Sequence, residues 1–454
     1  MNRRTFLASS LALGGGGYWA HRVANQHRLG PYLPQVNAQG IWSNWSGHQT
    51  CRPAVWFEPK QEDELQTWLT TQKSPVRVVG GGHSFSPLVP TEDALISLRQ
   101  LSGIVELNPQ ELWVNAWAGT SLSDLTAQLH TLGYALENQG DINHQSLAGA
   151  ISTSTHGTGL SLTSLGAMVQ NFRLITASGE ILSGSEWALP GAVSLGLLGI
   201  FTQIQLKIIP TYRLEEKITP TPTRLALEAF PNLIQEHRHA ELFVFFHGDT
   251  SLVKTLNPTT KPSSPPQTPF LSDDFLLSLG LSLSGQQGQR SKTILEIMGD
   301  ILSESSRIGH AFEIFPSPRE VRFNEMEYQI PLKQGMEALL KIWQLGRKEE
   351  WPLFFPMEIR VVAEDFHWLS PFYGQASLSI SIHQAANLPF SPYFEKVHGI
   401  LATYGGRPHW GKLSFYPLAE LGSLYPKWPE FVRLKTQLDP QHRFTSPALK
   451  PLFT

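Results

Sequence analysis

The chain has 454 residues, a length that supports two or three domains around a substantial core. Charged residues make up 16% and the formal net charge is -3, so the basic excess that a nucleic-acid partner requires is missing. A single cysteine, Cys51, excludes an internal disulfide and any cysteine-built metal centre. Thirteen Trp, 24 Phe and 10 Tyr suit a folded enzyme with large apolar contacts.

At the N-terminus, MNRRTFLASSLALGGGG sets Arg3 and Arg4 ahead of a modest apolar stretch, similar to a twin-arginine export address. Phe6 to Ala20 is too short and too glycine-rich to span a membrane, and no later run reaches spanning length. Residues 1–35 are therefore assigned to a signal segment, and the protein is expected in the periplasm or another extracytoplasmic space. Export by that route carries folded proteins, which suits a chain that must load a cofactor first.

Beyond it, PKQEDELQTWL (59–69) has an acidic first turn and apolar Leu65, Trp68 and Leu69, which predicts an amphipathic helix. VRVV (76–79) is a short buried strand running into glycines. ALISL (94–98) and ELWVNAWAG (111–119) read as further strands. SLSDLTAQLHTLG (121–133) is a helix with an N-cap serine and a terminal Gly133. A glycine-spotted segment (140–166) follows. FRLITASGEIL (172–182) is a hairpin turning at Ser-Gly, and GIFTQIQLKIIP (199–210) is a strand closed by Pro210. This alternation defines an α/β domain over 41–212.

The middle of the chain changes character. Residues 256–270, with NPTTKPSSPPQTPF, read as an exposed loop. Helical stretches (275–310 and 332–348) and alternating strands such as SLSISIH (377–383) predict a second domain of mixed α and β structure over 213–400. Residues 401–454 form a C-terminal segment expected to return to the first domain. No internal repeat is evident.

Two segments carry the chemistry. In VRVVGGGHSFSPL (76–88), three glycines follow a strand and precede His83. Glycine permits close approach of backbone to a ligand, and the exposed N–H groups of such a turn can ring an anion. The spacing is neither the dinucleotide GxGxxG nor a P-loop. In GDINHQSLAGAISTSTHGTG (140–159), glycines, hydroxyls and two histidines suit a backbone wrapped around an extended polar ligand. AlaGlyAlaIle within it is too apolar for a solvated linker. The other histidines show no metal-ligand spacing, and His237 and His239 in EHRH read as a solvated helix face. No metal site is expected.

With these segments in view, GGGHSF (80–85), SLAGAISTSTHGTG (146–159) and GLLGIFTQI (196–204) resemble the FAD-binding half of the vanillyl-alcohol-oxidase superfamily. GGRPHWGK (405–412), VRFNEMEYQIP (321–331) and NWSG (44–47) are similar to its aldonolactone and alditol oxidase branch, which includes gulonolactone and arabinono-lactone oxidases. The resemblance implies an α+β fold: a two-subdomain α/β FAD-binding domain (PCMH type) plus an α+β substrate-binding domain with an antiparallel sheet. It implies FAD contacts from Val79, Gly80, Gly81, Gly82, His83 and Ser84. Further contacts are implied for Gly140, Asp141, Ser146, Gly149, Ile151, Ser152, Thr153, His156, Gly157, Ile200 and His409. In oxidases of this branch the histidine matching His83 is bonded to the flavin 8α carbon, so a covalent flavin is expected there.

Glu358 and Arg360 alternate along MEIRV and so share one face of a strand. On spacing alone they suit a surface ion pair; the resemblance places them in the site, with Glu358 as base or orienter. Lys412 matches a lysine near the substrate and the flavin N1–C2=O edge, and His383 falls where a site histidine is expected. The implied reaction is oxidation of a C–OH in a sugar lactone, alditol or related polyol, with hydride passing to flavin N5. Reoxidation by O2 gives hydrogen peroxide; the alternative is a dehydrogenase of the same fold that reduces a quinone, cytochrome or dye. Gly140, a small residue where oxidases of the branch leave O2 a passage, favours the oxidase. Two positions depart from the alditol oxidase pattern: Ala385 stands for a threonine and Asp141 for a substrate-facing serine, so the polyol itself stays open. A flavin-binding protein without turnover is the reading from another class, which intact Glu358, Arg360 and Lys412 oppose.

Overall fold

The computed structural model describes residues 34–264, 288–299, 302–317, 321–349 and 351–453. The signal-segment assignment therefore lies almost wholly outside the described residues. Near the N-terminus, strands β1 (Val55–Phe57), β2 (Val76–Val79) and β3 (Ala94–Ser97) pair in parallel in the order β1–β3–β2. Parallel strands need crossover connections, and helix α1 (Glu62–Thr71) lies on the one from β1 to β2, which flank β3. It buries Leu65 and Leu69, four residues apart and hence on one face, and opens with three acidic residues where the helix dipole favours them.

Strands β4 (Ile104–Asn108), β5 (Trp113–Trp117), β6 (Val169–Ile175), β7 (Ile181–Gly184) and β8 (Ile200–Lys207) form an antiparallel sheet in the order β7–β6–β8–β5–β4. Helix α2 (Leu122–Thr131) begins at Ser121, whose hydroxyl accepts from the Asp124 N–H, and helix α3 (Leu147–Ser152) begins at Ser146, which accepts from Gly149 N–H. Leu65, Leu69, Ile96, Val114, Leu125, Ile151, Phe172 and Ile204 join both sheets in one apolar core. This is the two-subdomain arrangement expected of the FAD-binding domain.

The third sheet is the largest. Strands β9 (Arg213–Pro222), β10 (His239–Val244), β11 (Thr250–Thr259), β12 (Ser305–His310), β13 (Phe323–Pro331), β14 (Met357–Val362), β15 (Ser377–Ala385) and β16 (Arg407–Pro408) run antiparallel in the order β12–β9–β11–β10–β14–β15–β13–β16. Its central strands alternate strictly. Leu242, Met326, Tyr328, Ile359, Ile380 and Ile382 point to one face and pack on α4 (Thr223–Glu236), α6 (Leu332–Lys348) and α7 (Ser391–Thr403). The opposite face carries Glu241, Glu325, Glu327, Gln329, Glu358, Arg360, Ser379 and Ser381, and all of these are buried too. Antiparallel sheets usually give such a polar face to water. Here the glycine-rich segment of the first domain covers it, with Gly159 bridging to Val362.

Three local expectations are corrected. His239 is a fully buried residue of β10, not part of a solvated helix face; its Nδ1 lies 2.7 Å from the Thr158 carbonyl oxygen, on the covering segment. Residues up to Thr259 continue β11 rather than forming a loop, because β9 offers a ten-residue partner. Within 275–310, residues 275–287 lie outside the described residues and α5 (Gly288–Gly299) is helical. Ser305–His310, however, is strand β12, held by pairing with β9. Among the described residues no helix is long and apolar enough to cross a membrane.

The C-terminal segment ties the domains together. After β16, the backbone N–H groups of His409 and Leu413 donate to Glu327 and Glu325 carbonyls of β13 (3.0 and 2.9 Å). The Gly411 carbonyl accepts from Phe85 N–H (2.7 Å), and the buried Arg443 guanidinium donates to the Leu69 carbonyl in the last turn of α1 (3.1 Å).

Candidate active site

Strand β2 delivers the chain into Gly80–Gly82, where Gly82 takes a φ of 63°, and His83 follows. The glycines have a local cause. A β-carbon at Gly80 would overlap the Ser146 hydroxyl, and one at Gly81 would overlap the His144 carbonyl oxygen. The two glycine-rich segments thus lie directly against each other.

Between and beside them runs a cleft of about 240 Å³. Val79, Gly80, Gly81, Gly82, His83, Ser84, Ser146, Gly149, Ser152, Thr153 and Ile200 line it, together with Ser121, His144, Arg77 and Arg99. No carboxylate is among the lining residues. A hydroxyl-lined cleft without acidic groups, bordered by glycine backbone, fits the pyrophosphate and ribityl chain of FAD, while Arg77 and Arg99 commit their N–H groups to backbone carbonyls and to Glu58. Ser146 and Gly149 are partly committed to each other by the α3 cap. Ile151 turns its side chain wholly into the apolar core.

The remaining expected residues gather at the boundary with the large sheet. His156 Nε2 lies 2.6 Å from Glu327 Oε1 and its Nδ1 2.8 Å from the Gly157 carbonyl oxygen, so both ring nitrogens face acceptors. Glu327 also accepts from Gln329 (2.6 Å) and Ser379 (2.9 Å). Burial alone would raise its carboxyl, yet the adjoining His156 holds it well below the usual carboxylate range. His409 accepts from Gly411 N–H at Nδ1 (3.0 Å), and burial pushes its imidazole down to about 4, so it is neutral. The His156 and His409 rings are 5.9 Å apart.

Arg360 Nη2 lies 2.8 Å from Glu358 Oε1, as strand alternation predicts. Beside them, Glu241 faces Arg360 across the strand pair, and Lys254 sits 3.1 Å from Glu241 and 3.5 Å from Asp141. Asp141, from the first domain, is therefore neutralised by a lysine of the second. Burial and the neighbouring Asp141 push the Glu241 carboxyl up to about 7. Arg360 Nε, Gln329 Oε1 and Ser381 Oγ are buried without a hydrogen-bond partner among the described residues, leaving open valences on this face.

Lys412 contacts Glu325 through a short ion pair, lies 4.0 Å from Glu327 Oε2, and sits over the Phe85 ring at 5.1 Å. His383, opposite Glu325 in the β13–β15 register, approaches Glu325 Oε1 at 3.5 Å. Trp45 bridges to the other side. It stacks on His83 at 5.5 Å and meets Phe85 and Phe323 edge-on at 6.2 and 5.0 Å. Burial, then His144, Lys412 and Arg322, push the His83 imidazole down to about 3, so it is neutral at physiological pH. His83 and Lys412, 329 residues apart in sequence, are thus linked through Trp45 and Phe85.

Glu325, Glu327, Glu241 and Lys254 were not singled out from sequence. Period-two alternation in FNEMEYQIP, with Glu325, Glu327 and Gln329 opposite Met326, Tyr328 and Ile330, is the signal that finds the first two.

Taken together, a glycine-lined cleft and a buried polar sheet face under it define a two-domain flavoprotein fold. The solved cholesterol oxidase from B. sterolicum superposes with a TM-score of 0.76 over 94% of this chain and 100% of that one, at 16% identity, a likeness of fold. Family profiles described as "D-arabinono-1,4-lactone oxidase" and "FAD binding domain" match residues 204–452 and 53–185. L-gulono-1,4-lactone dehydrogenase of Mycobacterium tuberculosis is 36% identical over 89% of this chain and 97% of its own length. L-gulonolactone oxidase of Scyliorhinus torazame is 28% identical (91% and 98%), and alditol oxidase of a Streptomyces species 26% (90% and 98%). The chain belongs to the D-arabinono-1,4-lactone oxidase family, the aldonolactone oxidase branch of the vanillyl-alcohol-oxidase superfamily, whose members are FAD-dependent oxidoreductases acting on sugar lactones and alditols.

Proposed function

We propose that this protein oxidises a C–OH carbon of an aldonolactone or a related polyol, using FAD held with its phosphates in the glycine-lined cleft and its ring toward Lys412. The observation that carries this reading is the buried polar sheet face with Glu358, Arg360, Glu325 and Glu327, to which Lys412 is tied through Glu325, while Lys412 also acts on His83. FAD held in the cleft would supply the hydride acceptor, and with O2 as the final electron acceptor the second product would be hydrogen peroxide. Lys412 places a cation beside the negative charge that develops as the substrate is oxidised. Glu358, oriented by Arg360, is positioned to accept the substrate hydroxyl proton. An anaerobic screen of aldonolactones, alditols and simple sugars for bleaching of the flavin absorbance tests the reading. Absence of bleaching with every lactone and alditol would remove it.

The resemblance supports O2 as the acceptor, since Gly140 stands where oxidases of the branch keep a small residue. The higher identity to L-gulono-1,4-lactone dehydrogenase than to the oxidases supports the second reading, electron delivery to a quinone, cytochrome or dye. Peroxide release measured against dye reduction on one substrate separates the two. The neutral His83 supports a covalent tether to the flavin, since only the unprotonated ring is a nucleophile. Yellow colour that stays with acid-precipitated protein, and is lost in His83→Ala, is the expected result. Arg3 and Arg4 support export; lysine at both positions is expected to leave the protein in the cytoplasmic fraction.

A further inference from the structure

We propose that Glu325 is a positioning residue of the site: one buried carboxylate holds the Lys412 ammonium and the His383 imidazole in fixed places between the sheet and the bound cofactor. The proposal rests on the function proposed above. Three observations carry it. First, Glu325 is buried, and its two oxygens divide between two partners, Oε2 with Lys412 Nζ and Oε1 with His383 Nε2 at 3.5 Å. Second, both partners are anchored around it. Its carbonyl accepts from Leu413 N–H (2.9 Å), next to Lys412, and His383 is its register partner on β15. Third, the other polar atoms of the two partners leave them little alternative. His383 Nδ1 faces the Pro356 carbonyl at 3.2 Å, and the other carboxylate near Lys412, Glu327, is 4.0 Å away at Oε2, beyond hydrogen-bond reach, while its Oε1 is taken by His156, Gln329 and Ser379.

A long lysine side chain on a loop samples many rotamers, and a carboxylate at its tip selects one. The same carboxylate lowers the net positive charge that Lys412 presents to the ring and substrate. Burial works against ionisation of Glu325, but Lys412 and His383 prevail and hold it down at about 2, so the clamp stays charged throughout the working pH range.

The test compares Glu325→Gln and Glu325→Asp with the unaltered full-length holoprotein. Reductive methylation of Lys412, followed by peptide mass spectrometry, reports its freedom without turnover. Steady-state kinetics on a lactone that bleaches the flavin, and the visible flavin spectrum, are recorded alongside. Glu325→Gln is expected to keep the flavin, to be methylated at Lys412 several-fold faster, and to lose about 10²-fold in kcat, the scale of a misplacement near 1 Å. Its flavin bands are expected to shift, because a cation is unmasked beside the ring. Glu325→Asp, with the charge but a shorter reach, falls between the two in labelling and in kcat. Unaltered Lys412 labelling and kcat in Glu325→Gln overturn the proposal. If that variant does not accumulate, unaltered labelling in Glu325→Asp does the same. Because labelling needs no substrate, a protein that oxidises no lactone or alditol defeats the proposed function while the Glu325 result still stands or falls separately.

Discussion

Single side chains decide whether this site works, and their contacts set expected outcomes. Replacing Lys412 by Met removes the cation but keeps the length of the chain. The flavin should remain bound while kcat/KM falls by roughly 10²–10³-fold, the effect of deleting one electrostatic stabiliser from a water-poor site. Stopped-flow measurement of flavin reduction would locate the loss in the reductive step. Gly81→Ala forces a methyl into the His144 backbone, which cannot rotate away, whereas Gly149→Ala meets only the Ser146 hydroxyl at 3.0 Å. FAD occupancy after reconstitution should therefore drop sharply in the first and little in the second. An equal drop in both would show that the glycines act through something other than this packing.

At the scale of elements, the large sheet behaves as a layer with two incompatible faces. Leu339 sits fully buried in the α6 stripe that packs on its apolar side. Its replacement by alanine should cost about 2–5 kcal/mol in urea unfolding, the usual range for a core leucine. The elements that carry the site were legible wherever alternation was clean. SLSISIH and MEIRV announce strands, and strand geometry alone puts Glu358 and Arg360 side by side. Helix α6 and strand β2 coincide with the predicted 332–348 and 76–79. Composition misled where pairing decided. EHRH looks solvated, but β10 begins inside it and carries His239 beneath the covering segment. NPTT looks like a loop, but β9 pairs with it to Thr259. The Lys254–Asp141 contact was invisible for another reason: 113 residues separate the partners, and nothing local marks either as paired.

For the whole molecule, the buried charges couple folding to pH. Glu241 is held at about 7 against an ordinary 4.5, so the folded chain binds this proton more tightly than the unfolded one. The stability it allows is complete below about 4.5 and is lost as pH rises through about 7. Glu325 behaves oppositely, held at about 2; its contribution is present above 4.5 and is lost only as pH falls through about 2. Glu241→Gln should therefore gain thermal stability over the unaltered protein progressively from pH 4.5 to 7.5, as followed by circular dichroism. A difference that does not grow with pH would mean that Glu241 is ionised in the folded chain. The return of the C-terminal segment to β13 has a temporal meaning as well. Both sheets of the cofactor half and nearly all of the third can be complete on a ribosome before the site's lysine has been translated. An interrupted synthesis should then yield a product that lacks both this lysine and the Trp410, Arg443 and Phe444 contacts bracing the first domain, so quality control meets it as an unfinished core rather than as errant chemistry.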